Sequence, residues 1–291
     1  MAVEALHIEL LHDCPLACRA CDHRAYPPAR LGRAALKAVF SRKDFAGLSL
    51  VSFSGGEPLL YPGLAAALRG AAAAFPGARL VLLTSLFLSG PALALLRALP
   101  AGVRRRLHVG SSLDGTGPGH DAMRGRKGAF AALRKSLKAI KKEFPEVSTG
   151  LTFTATRLNA GGFYRAWEEA ARLGVPLGVQ FLVPNAGTAG LEPDAAARAA
   201  LAAGLRRALA GAGPDAAEAP HLRQALDFLG GGPSGACGAG STFLMLAPEG
   251  EFYLCPFHKE IRAPLGRPEA LRSPAGYRSR HCPGCFLRCA R

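Results

Sequence analysis

The amino-acid sequence predicts an α/β protein built on a parallel sheet. Short apolar runs of strand length alternate with Ala/Leu/Arg-rich segments of helical length from residue 6 to about residue 210. A hydrophobic fraction of 49% in a chain of 291 residues supports a sizeable core. Strands that alternate with helices of this length indicate βαβ units, whose strands run parallel. Periodicity alone does not separate a doubly wound sheet from a barrel.

The apolar runs place the individual elements. Six strands are predicted at residues 6–11, 48–53, 80–84, 107–112, 149–156 and 178–183. Helices are predicted at residues 31–40, 64–75, 91–99, 129–143, 163–173 and 193–209. The Ala/Pro-rich residues 214–220 are predicted to form a linker, and a helix at 221–229 stops at a Gly-Gly-Gly-Pro sequence.

The composition changes after this stop. A hairpin is predicted from residues 242–247 and 251–254, with its turn at residues 248–250. The chain is therefore divided into a domain of residues 1–212 and a smaller one of residues 213–291.

Charge is unevenly balanced, with 36 Lys and Arg against 21 Asp and Glu, a formal net charge of +15. This excess suits an anionic partner such as an acidic peptide, a phosphorylated substrate or RNA. A basic solvated surface explains it equally well. The basic clusters lack the interleaved aromatic residues of single-stranded RNA binders, so a nucleic-acid partner is not favoured.

The N-terminal residues, the apolar runs and the cysteines indicate the cellular compartment of the protein. Residues 1–11 lack the basic start and cleavage site of a signal peptide, and no apolar run reaches transmembrane length. The sequence therefore predicts a cytoplasmic protein without a membrane partner. In that setting the eight cysteines favour metal binding over disulfides.

Three of these cysteines follow the first strand directly. Cys14, Cys18 and Cys21 have the spacing Cys-x3-Cys-x2-Cys. Thiolates are ligands for iron–sulfur clusters, zinc or copper(I). Three close ligands leave a fourth metal position for a distant residue or for chemistry. A zinc knuckle or unrelated buried cysteines remain alternatives for this loop taken alone.

A second motif, Ser54, Gly55, Gly56, Glu57 and Pro58, follows the second strand. Adjacent glycines let the backbone approach a ligand closely, and the charge of Glu57 could meet an ammonium group. A Gly-Gly pair alone is only a turn signal. The three-cysteine loop after strand one and Gly-Gly-Glu-Pro after strand two together resemble the radical S-adenosylmethionine (SAM) enzymes.

This resemblance implies an open, TIM-like partial (β/α)6 barrel with its active site at the carboxyl ends of the strands. It implies that the three cysteines hold a 4Fe-4S cluster, that SAM chelates the fourth iron, and that the Gly-Gly-Glu-Pro turn binds the methionine amine. Reductive cleavage of SAM would yield a 5′-deoxyadenosyl radical, with the electron coming from an external donor such as flavodoxin or ferredoxin.

Later strand ends extend the resemblance. The segments 111–115 and 120–125 are similar to the Ser-Leu-Asp-Gly and His-Asp-x-x-Arg-Gly segments of radical SAM enzymes with SPASM or twitch extensions. By resemblance the cofactor-binding residues also include Thr84, Ser85, Ser111, Ser112, Arg124, Thr154, Asn159 and Val183, and Asp114 is a catalytic candidate. Alternatively, Thr84 and Ser85 cap a helix, Asp114 forms a turn, and Arg124 forms a structural ion pair.

One position departs from the family pattern. The residue before the third cysteine is commonly aromatic in the family, but here it is Ala20. We therefore expect His23 or Tyr26 to supply the packing against adenine.

Five further cysteines follow the core: Cys237, Cys255, Cys282, Cys285 and Cys289. Two separated cysteines and a Cys-x2-Cys pair could form a zinc ribbon. The spacing also resembles the twitch domain, a shortened SPASM domain with one auxiliary 4Fe-4S cluster, for which Cys237, Cys255, Cys282 and Cys285 would be the ligands. Cys289 is then an alternative fourth ligand, a catalytic hydrogen donor, or a terminal thiol.

The resemblance favours a radical SAM oxidoreductase that oxidises or rearranges a small molecule in natural-product biosynthesis. The start of the chain close to strand one favours a small molecule over a peptide, whereas the basic charge favours an anionic substrate or acidic peptide. Alternatives are a peptide maturase that forms thioether or carbon–carbon links or epimerises residues, an RNA-modifying enzyme, and a non-catalytic iron–sulfur electron carrier.

Overall fold

A computed structural model of the chain describes residues 3–182, 188–212, 218–232, 237–271 and 285–286. Within these residues one sheet is formed in the order β6-β5-β4-β3-β2-β1-β7-β8-β9. Its strands are β1 Ala5–Glu9, β2 Leu50–Ser54, β3 Arg79–Leu83, β4 Leu107–Ser112, β5 Ser148–Ala155, β6 Leu177–Phe181, β7 Phe243–Leu246, β8 Glu251–Cys255 and β9 His258–Pro264.

Helices connect the parallel strands. They are α1 Arg33–Phe40, α2 Leu64–Ala74, α3 Ser89–Ala98, α4 Ala101–Arg104, α5 Pro118–Arg124, α6 Ala129–Glu143, α7 Phe163–Leu173, α8 Ala195–Gly211 and α9 Ala219–Leu229. Each of the first six strands is followed by at least one helix, so every crossover lies on the helical side of the sheet.

The core lies between the sheet and these helices. Alternate residues of the parallel strands, such as Leu6 and Ile8 in β1 and Leu80 and Leu82 in β3, are buried and belong to one large apolar cluster. Neighbouring strands from β1 to β6 are parallel and in register, and β6 and β9 are the two ends of the sheet. The predicted α/β fold with an unclosed, partial barrel is confirmed.

Helices α4 and α5 and strand β9 were not predicted from the sequence. Helix α5 is only seven residues long and is bounded by Gly117 and Gly125, so it shows too little periodicity to be recognised. Strand β9 carries a run of charged residues and is mostly exposed, as expected of an edge strand.

The predicted C-terminal hairpin is present as β7 and β8, and it continues the barrel sheet. Strand β7 pairs in parallel with β1, from Ala5 opposite Phe243 to Ile8 opposite Leu246, and β8 returns antiparallel to it. The division of the chain at residue 212 stays a prediction. Among the described helices, none has the length and apolar character needed to cross a membrane.

Candidate active site

A row of polar side chains lies at the carboxyl ends of the strands. Because strand residues alternate between faces, the side chains beside the buried Leu6 and Ile8 in β1 point away from the helix-packed core. The register places the members of this row opposite one another in neighbouring strands: Glu9 with Ser54, Ser112 with Thr152, and Thr154 with Gln180. The amide of Gln180 donates to Thr154 Oγ1 at 3.0 Å. This face can therefore offer hydrogen bonds to a polar ligand.

The cysteine loop begins at the end of β1. Cys14, Cys18 and Cys21 are all half-buried free thiols. Burial, together with the proximity of the other thiols, raises the pKa of both Cys14 and Cys21 to about 11. Three thiols that interact in one partly buried loop match the donor set of an iron–sulfur cluster, and a bound metal would displace their protons.

The C-terminal end of helix α5 forms backbone hydrogen bonds with this loop. The N–H of Ala17 donates to the carbonyl of Arg124 at 3.2 Å, and that of Arg19 donates to the carbonyl of Met123 at 2.9 Å. Gly125 ends the helix in a left-handed conformation, with φ of 61°, and a Cβ there would overlap the carbonyl oxygen of Ala17. The end of α5 therefore fixes the backbone on both sides of Cys18.

The glycine turn that follows β2 also forms backbone hydrogen bonds with this loop. The N–H of Gly56 donates to Leu11 at 2.7 Å and that of Glu57 donates to Asp13 at 2.8 Å, in both cases to the carbonyl oxygen. A Cβ on Gly56 would overlap the carbonyl oxygens of His12 and Asp13. The glycines thus allow a close approach to the start of the cysteine loop, whereas the sequence predicted an approach to a ligand.

The Glu57 carboxylate accepts hydrogen bonds from other residues of the protein. It is fully buried and accepts hydrogen bonds from Thr84 Oγ1 at 2.6 Å, from the N–H of Ser85 at 3.0 Å, from Ser85 Oγ, and from the N–H of Leu59 at 3.2 Å. These donors occupy the acceptor sites of the carboxylate, and the contact of Glu57 with an ammonium group stays a prediction.

Thr84 and Ser85 therefore hold the turn. Their hydroxyls also accept from the N–H groups of Leu86 and Phe87, while Leu88 is the N-cap of α3. The helix-cap alternative is thus wrong, and a direct role of these residues in cofactor binding stays a prediction. In the same motif Ser54 Oγ lies 3.5 Å from the carbonyl of Ile8, and Pro58 begins a short 3-10 helix.

A buried ion pair links the β4 loop to the cysteine loop. Arg124 Nη2 lies 3.0 Å from Asp114 Oδ2, and Arg124 Nη1 lies 3.6 Å from Cys18 Sγ. The other carboxylate oxygen of Asp114 accepts the N–H of Thr154 at 2.8 Å. The structure thus shows the structural ion pair, and gives both Asp114 oxygens protein partners; ligand binding by Arg124 and catalysis by Asp114 stay predictions.

His120 completes this loop. Burial, followed by the charge of Arg124, lowers the pKa of His120 to about 4. At neutral pH its imidazole is uncharged, and Nδ1 can accept the N–H of Asp114 at 3.2 Å.

Asn159 links the loop after β5 to the loop after β4. Its Oδ1 accepts from the N–H and Oγ1 of Thr156 at 2.8 Å each, and its Nδ2 donates to the carbonyls of Thr154 and Asp114. A cleft of about 590 Å³ adjoins these residues, with Arg19 and Arg165 also in its lining.

The two serines of β4 differ. Ser111 follows Val109 on the core side, and its hydroxyl is buried with no hydrogen-bond partner in the part of the chain that the structure describes. Ser112 is half-buried and belongs to the polar face. Of the two, Ser112 is therefore better placed to meet a ligand.

The C-terminal cysteines are described only in part. Cys237 and Cys255 both pack against the smaller apolar cluster, which includes Phe243 and Met245. Cys285 precedes Phe286, whose ring packs against Phe181 and Phe228. Three predicted site residues lie outside the described residues: Val183, Cys282 and Cys289.

Sequence reasoning missed a polar cluster between the cysteine loop and the hairpin. The ring of His12 lies 5.7 Å from that of His23 and 5.1 Å from that of Tyr26. Lys259 of β9 lies 3.1 Å from Asp22 and stacks over the Tyr26 ring. His23 and Tyr26, which we expected to pack on adenine, thus have protein partners here. The alternation in β1 indicates only that Glu9, beside this cluster, points away from the core.

Solved structures share this fold. Streptococcus suis SuiB bound to S-adenosylmethionine aligns with a TM-score of 0.63 at 13% identity, over 88% of this chain and 60% of SuiB. The anSMEcpe structure with bound AdoMet aligns with a TM-score of 0.63 at 16% identity, over 89% of this chain and 74% of that one. Methylornithine synthase (PylB) aligns with a TM-score of 0.53 at 11% identity, over 71% of this chain and 62% of PylB. The chain spans less than two thirds of the length of SuiB, and identities this low establish a shared fold alone.

Comparison with curated protein sequences finds no match. The family model of the Radical SAM superfamily matches residues 8–156, which is more than half of the chain. The match runs from β1 through the cysteine loop, the glycine turn and α5 to the end of β5. This chain therefore belongs to the radical SAM superfamily, a family of enzymes that use a 4Fe-4S cluster and SAM.

Proposed function

We propose that this protein is a radical SAM oxidoreductase that abstracts hydrogen from a substrate bound at the mouth of the barrel. The observation that carries the proposal is the placement of the cysteine loop. Its three thiols are held between the glycine turn and the end of α5, beside the polar row at the strand ends. When bound, the 4Fe-4S cluster and SAM supply a 5′-deoxyadenosyl radical, at the cost of one electron.

The protein's own residues would bind the cluster and orient SAM. Cys14, Cys18 and Cys21 would hold the cluster, and the backbone of the Gly55–Gly56 turn would receive the methionine part of SAM. The polar side chains of Ser112 and Thr154 would orient the rest of SAM, together with Val183 after β6. The electron would come from a partner such as flavodoxin or ferredoxin.

We further propose an auxiliary 4Fe-4S cluster held by Cys237, Cys255, Cys282 and Cys285, in a C-terminal twitch domain of residues 213–291. The packing of Cys237 and Cys255 against one apolar cluster supports this proposal, because two of the four ligands then border the same group of side chains. Cluster burial beside apolar side chains would also slow the access of water.

A small molecule with several hydroxyl or amine groups is the substrate class that suits the polar row best, since hydrogen bonds would fix which carbon faces the radical. A peptide is the second candidate. SuiB has been solved with the precursor peptide SuiA, and anSMEcpe with the peptide Cp18Cys. Product analysis with peptide and small-molecule candidates separates the two.

The first prediction tests the core cluster. The triple variant Cys14→Ala, Cys18→Ala, Cys21→Ala should lose about half of roughly eight irons after anaerobic reconstitution, and all conversion of SAM to 5′-deoxyadenosine and methionine. The matched variant Cys237→Ala should also lose about half of the iron but retain SAM cleavage. A wild-type protein with about four irons plus zinc would contradict the auxiliary cluster, and SAM cleavage in the triple variant would contradict the core site.

A second prediction concerns the last two cysteines. Four thiolates complete a cubane cluster, and the C-terminal part offers five. Cys289→Ala should therefore keep both clusters and SAM cleavage, whereas Cys285→Ala should lose the auxiliary cluster. Iron content and the EPR signal of the reduced auxiliary cluster distinguish the variants. The reverse outcome, with the signal lost only in Cys289→Ala, would reassign the fourth ligand.

A further inference from the structure

A second group of ligand atoms lies apart from the three cysteines, between β1, the cysteine loop and the hairpin. Glu9, His12 and His23 each bring one oxygen or nitrogen atom into a common space, where these atoms lie within 4.8 Å of one another. Glu9 and His12 are buried, and the His23 side chain is only 12% exposed. Such a grouping of two imidazoles and one carboxylate is the donor set of many zinc and ferrous sites.

The polar atoms of this group are only partly satisfied by the protein. The Glu9 carboxylate meets His23 Nε2 at 3.9 Å, which is too long for a hydrogen bond. His23 Nδ1 is buried and has no hydrogen-bond partner among the described residues. Buried polar atoms left in this state indicate a missing partner.

His12 is already oriented as a ligand. Its Nδ1 lies 2.9 Å from the carbonyl oxygen of Pro27, a contact in which the imidazole N–H donates. The proton on Nδ1 leaves Nε2 with its lone pair facing the group. Metal-binding histidines are commonly held in this way by a backbone carbonyl.

The charges around the group also suit a cation. Asp22 holds the nearby ammonium of Lys259 at 3.1 Å, although Lys259 also interacts with Glu9. Arg262 of β9 forms ion pairs with both Glu249 and Glu251, and Glu249 lies 3.7 Å from His12 Nε2. Four carboxylates thus lie near the group with two cations, so that the net formal charge of these side chains is negative and favours a bound cation.

From these observations we propose that Glu9, His12 and His23 bind one divalent transition-metal ion, with zinc as the probe of choice. Zinc ligands lie about 2.0–2.2 Å from the ion, so the three side chains would close on it by small rotations. Three protein ligands leave at least one position open, at the mouth of the barrel. An oxygen or nitrogen atom of a substrate could occupy that position. The site does not depend on the reaction proposed above.

The test uses the anaerobically reconstituted holoprotein with its full iron content, so that seven of the eight cysteines hold iron and cannot take up zinc. After equilibration with Zn²⁺ and gel filtration, the protein should retain one zinc per chain. Zinc K-edge absorption should show nitrogen and oxygen neighbours at about 2.0–2.1 Å, rather than sulfur at about 2.3 Å. In Glu9→Gln and in His12→Gln the Kd for zinc should rise on the order of 100-fold, since each removes one of three ligands.

Glu260→Gln is the matched control, because Glu260 is an exposed carboxylate of β9 whose oxygen lies 3.0 Å from His258. It should bind zinc as the wild type does. Absence of the additional zinc, sulfur neighbours in the absorption spectrum, or equal affinity in all three variants would overturn the proposal. Iron content, measured in each variant, keeps a disturbed cysteine loop distinct from a lost zinc ligand. A protein that binds this zinc without cleaving SAM would retain the site and contradict only the function proposed above.

Discussion

Gly125→Ala is expected to release the irons of the core cluster and to lower SAM cleavage at least about 100-fold, although residue 125 has no side chain of its own. The left-handed backbone at this position, with φ of 61°, costs an alanine on the order of 1–2 kcal/mol. The larger effect comes from the new Cβ, which would overlap the carbonyl oxygen of Ala17 and lie 3.0 Å from the Ala17 Cβ. Since Ala17 lies between Cys14 and Cys18, the loop must move and the three thiols lose their common geometry.

Gly128→Ala separates these two causes. Gly128 also has a positive φ, of 84°, three residues further along, but a Cβ there meets nothing within 4 Å. It should therefore carry the backbone cost alone, with iron content and SAM cleavage close to those of the wild type. If both variants lose the cluster equally, backbone strain in this segment, and not the contact with the cysteine loop, is the cause.

The repeating part of the fold follows from local patterns. Runs of apolar residues of strand length recur from β1 to β6, and apolar residues recur at helical spacing in long helices such as α6. These patterns need no knowledge of distant neighbours, so six strands and the long helices were predicted within a few residues. Helix α5 failed this test because two turns with a glycine inside them carry almost no period.

The partners of the motif residues could not be predicted in this way. The sequence indicates that Gly56 needs space, but the atoms that fill this space belong to His12 and Asp13, which lie more than forty residues earlier. The sequence associates Glu57 with the charge of a ligand, but it does not indicate the hydrogen-bond partners Thr84 and Ser85, which follow β3. A motif predicts which types of residue form a site. Which residues of the chain contact one another is decided by the register of the sheet.

The polar cluster at Glu9 shows the same limit over a longer distance. It requires the parallel pairing of β1 with β7, which joins Ala5 to Phe243, and it requires β9, whose charged sequence conceals the strand. No local signal links Lys259 to Asp22. The contact of Lys259 with this cluster therefore depends on the hairpin continuing the barrel sheet.

Replacement of Glu57 by Gln is expected to destabilise the protein by about 2–4 kcal/mol, the second large effect. The carboxylate accepts four hydrogen bonds from Thr84, Ser85 and Leu59 in a fully buried setting. An amide of the same size cannot accept through its NH2 group, which would instead face a donor. The thermal unfolding midpoint of the holoprotein, followed by circular dichroism under anaerobic conditions, should fall by roughly 5–10 °C.

The matched control for this change is Glu143→Gln at the end of α6. Glu143 is exposed and forms an ion pair with Arg97 at 2.6 Å, so its loss should cost less than about 1 kcal/mol. Because Glu57 lies directly after Gly56, which packs against His12 and Asp13, Glu57→Gln should also lower the iron retained on heating, and Glu143→Gln should not. Equal midpoints in the two variants would mean that Thr84 and Ser85 find other partners, and that the turn is held by its backbone contacts with the cysteine loop alone.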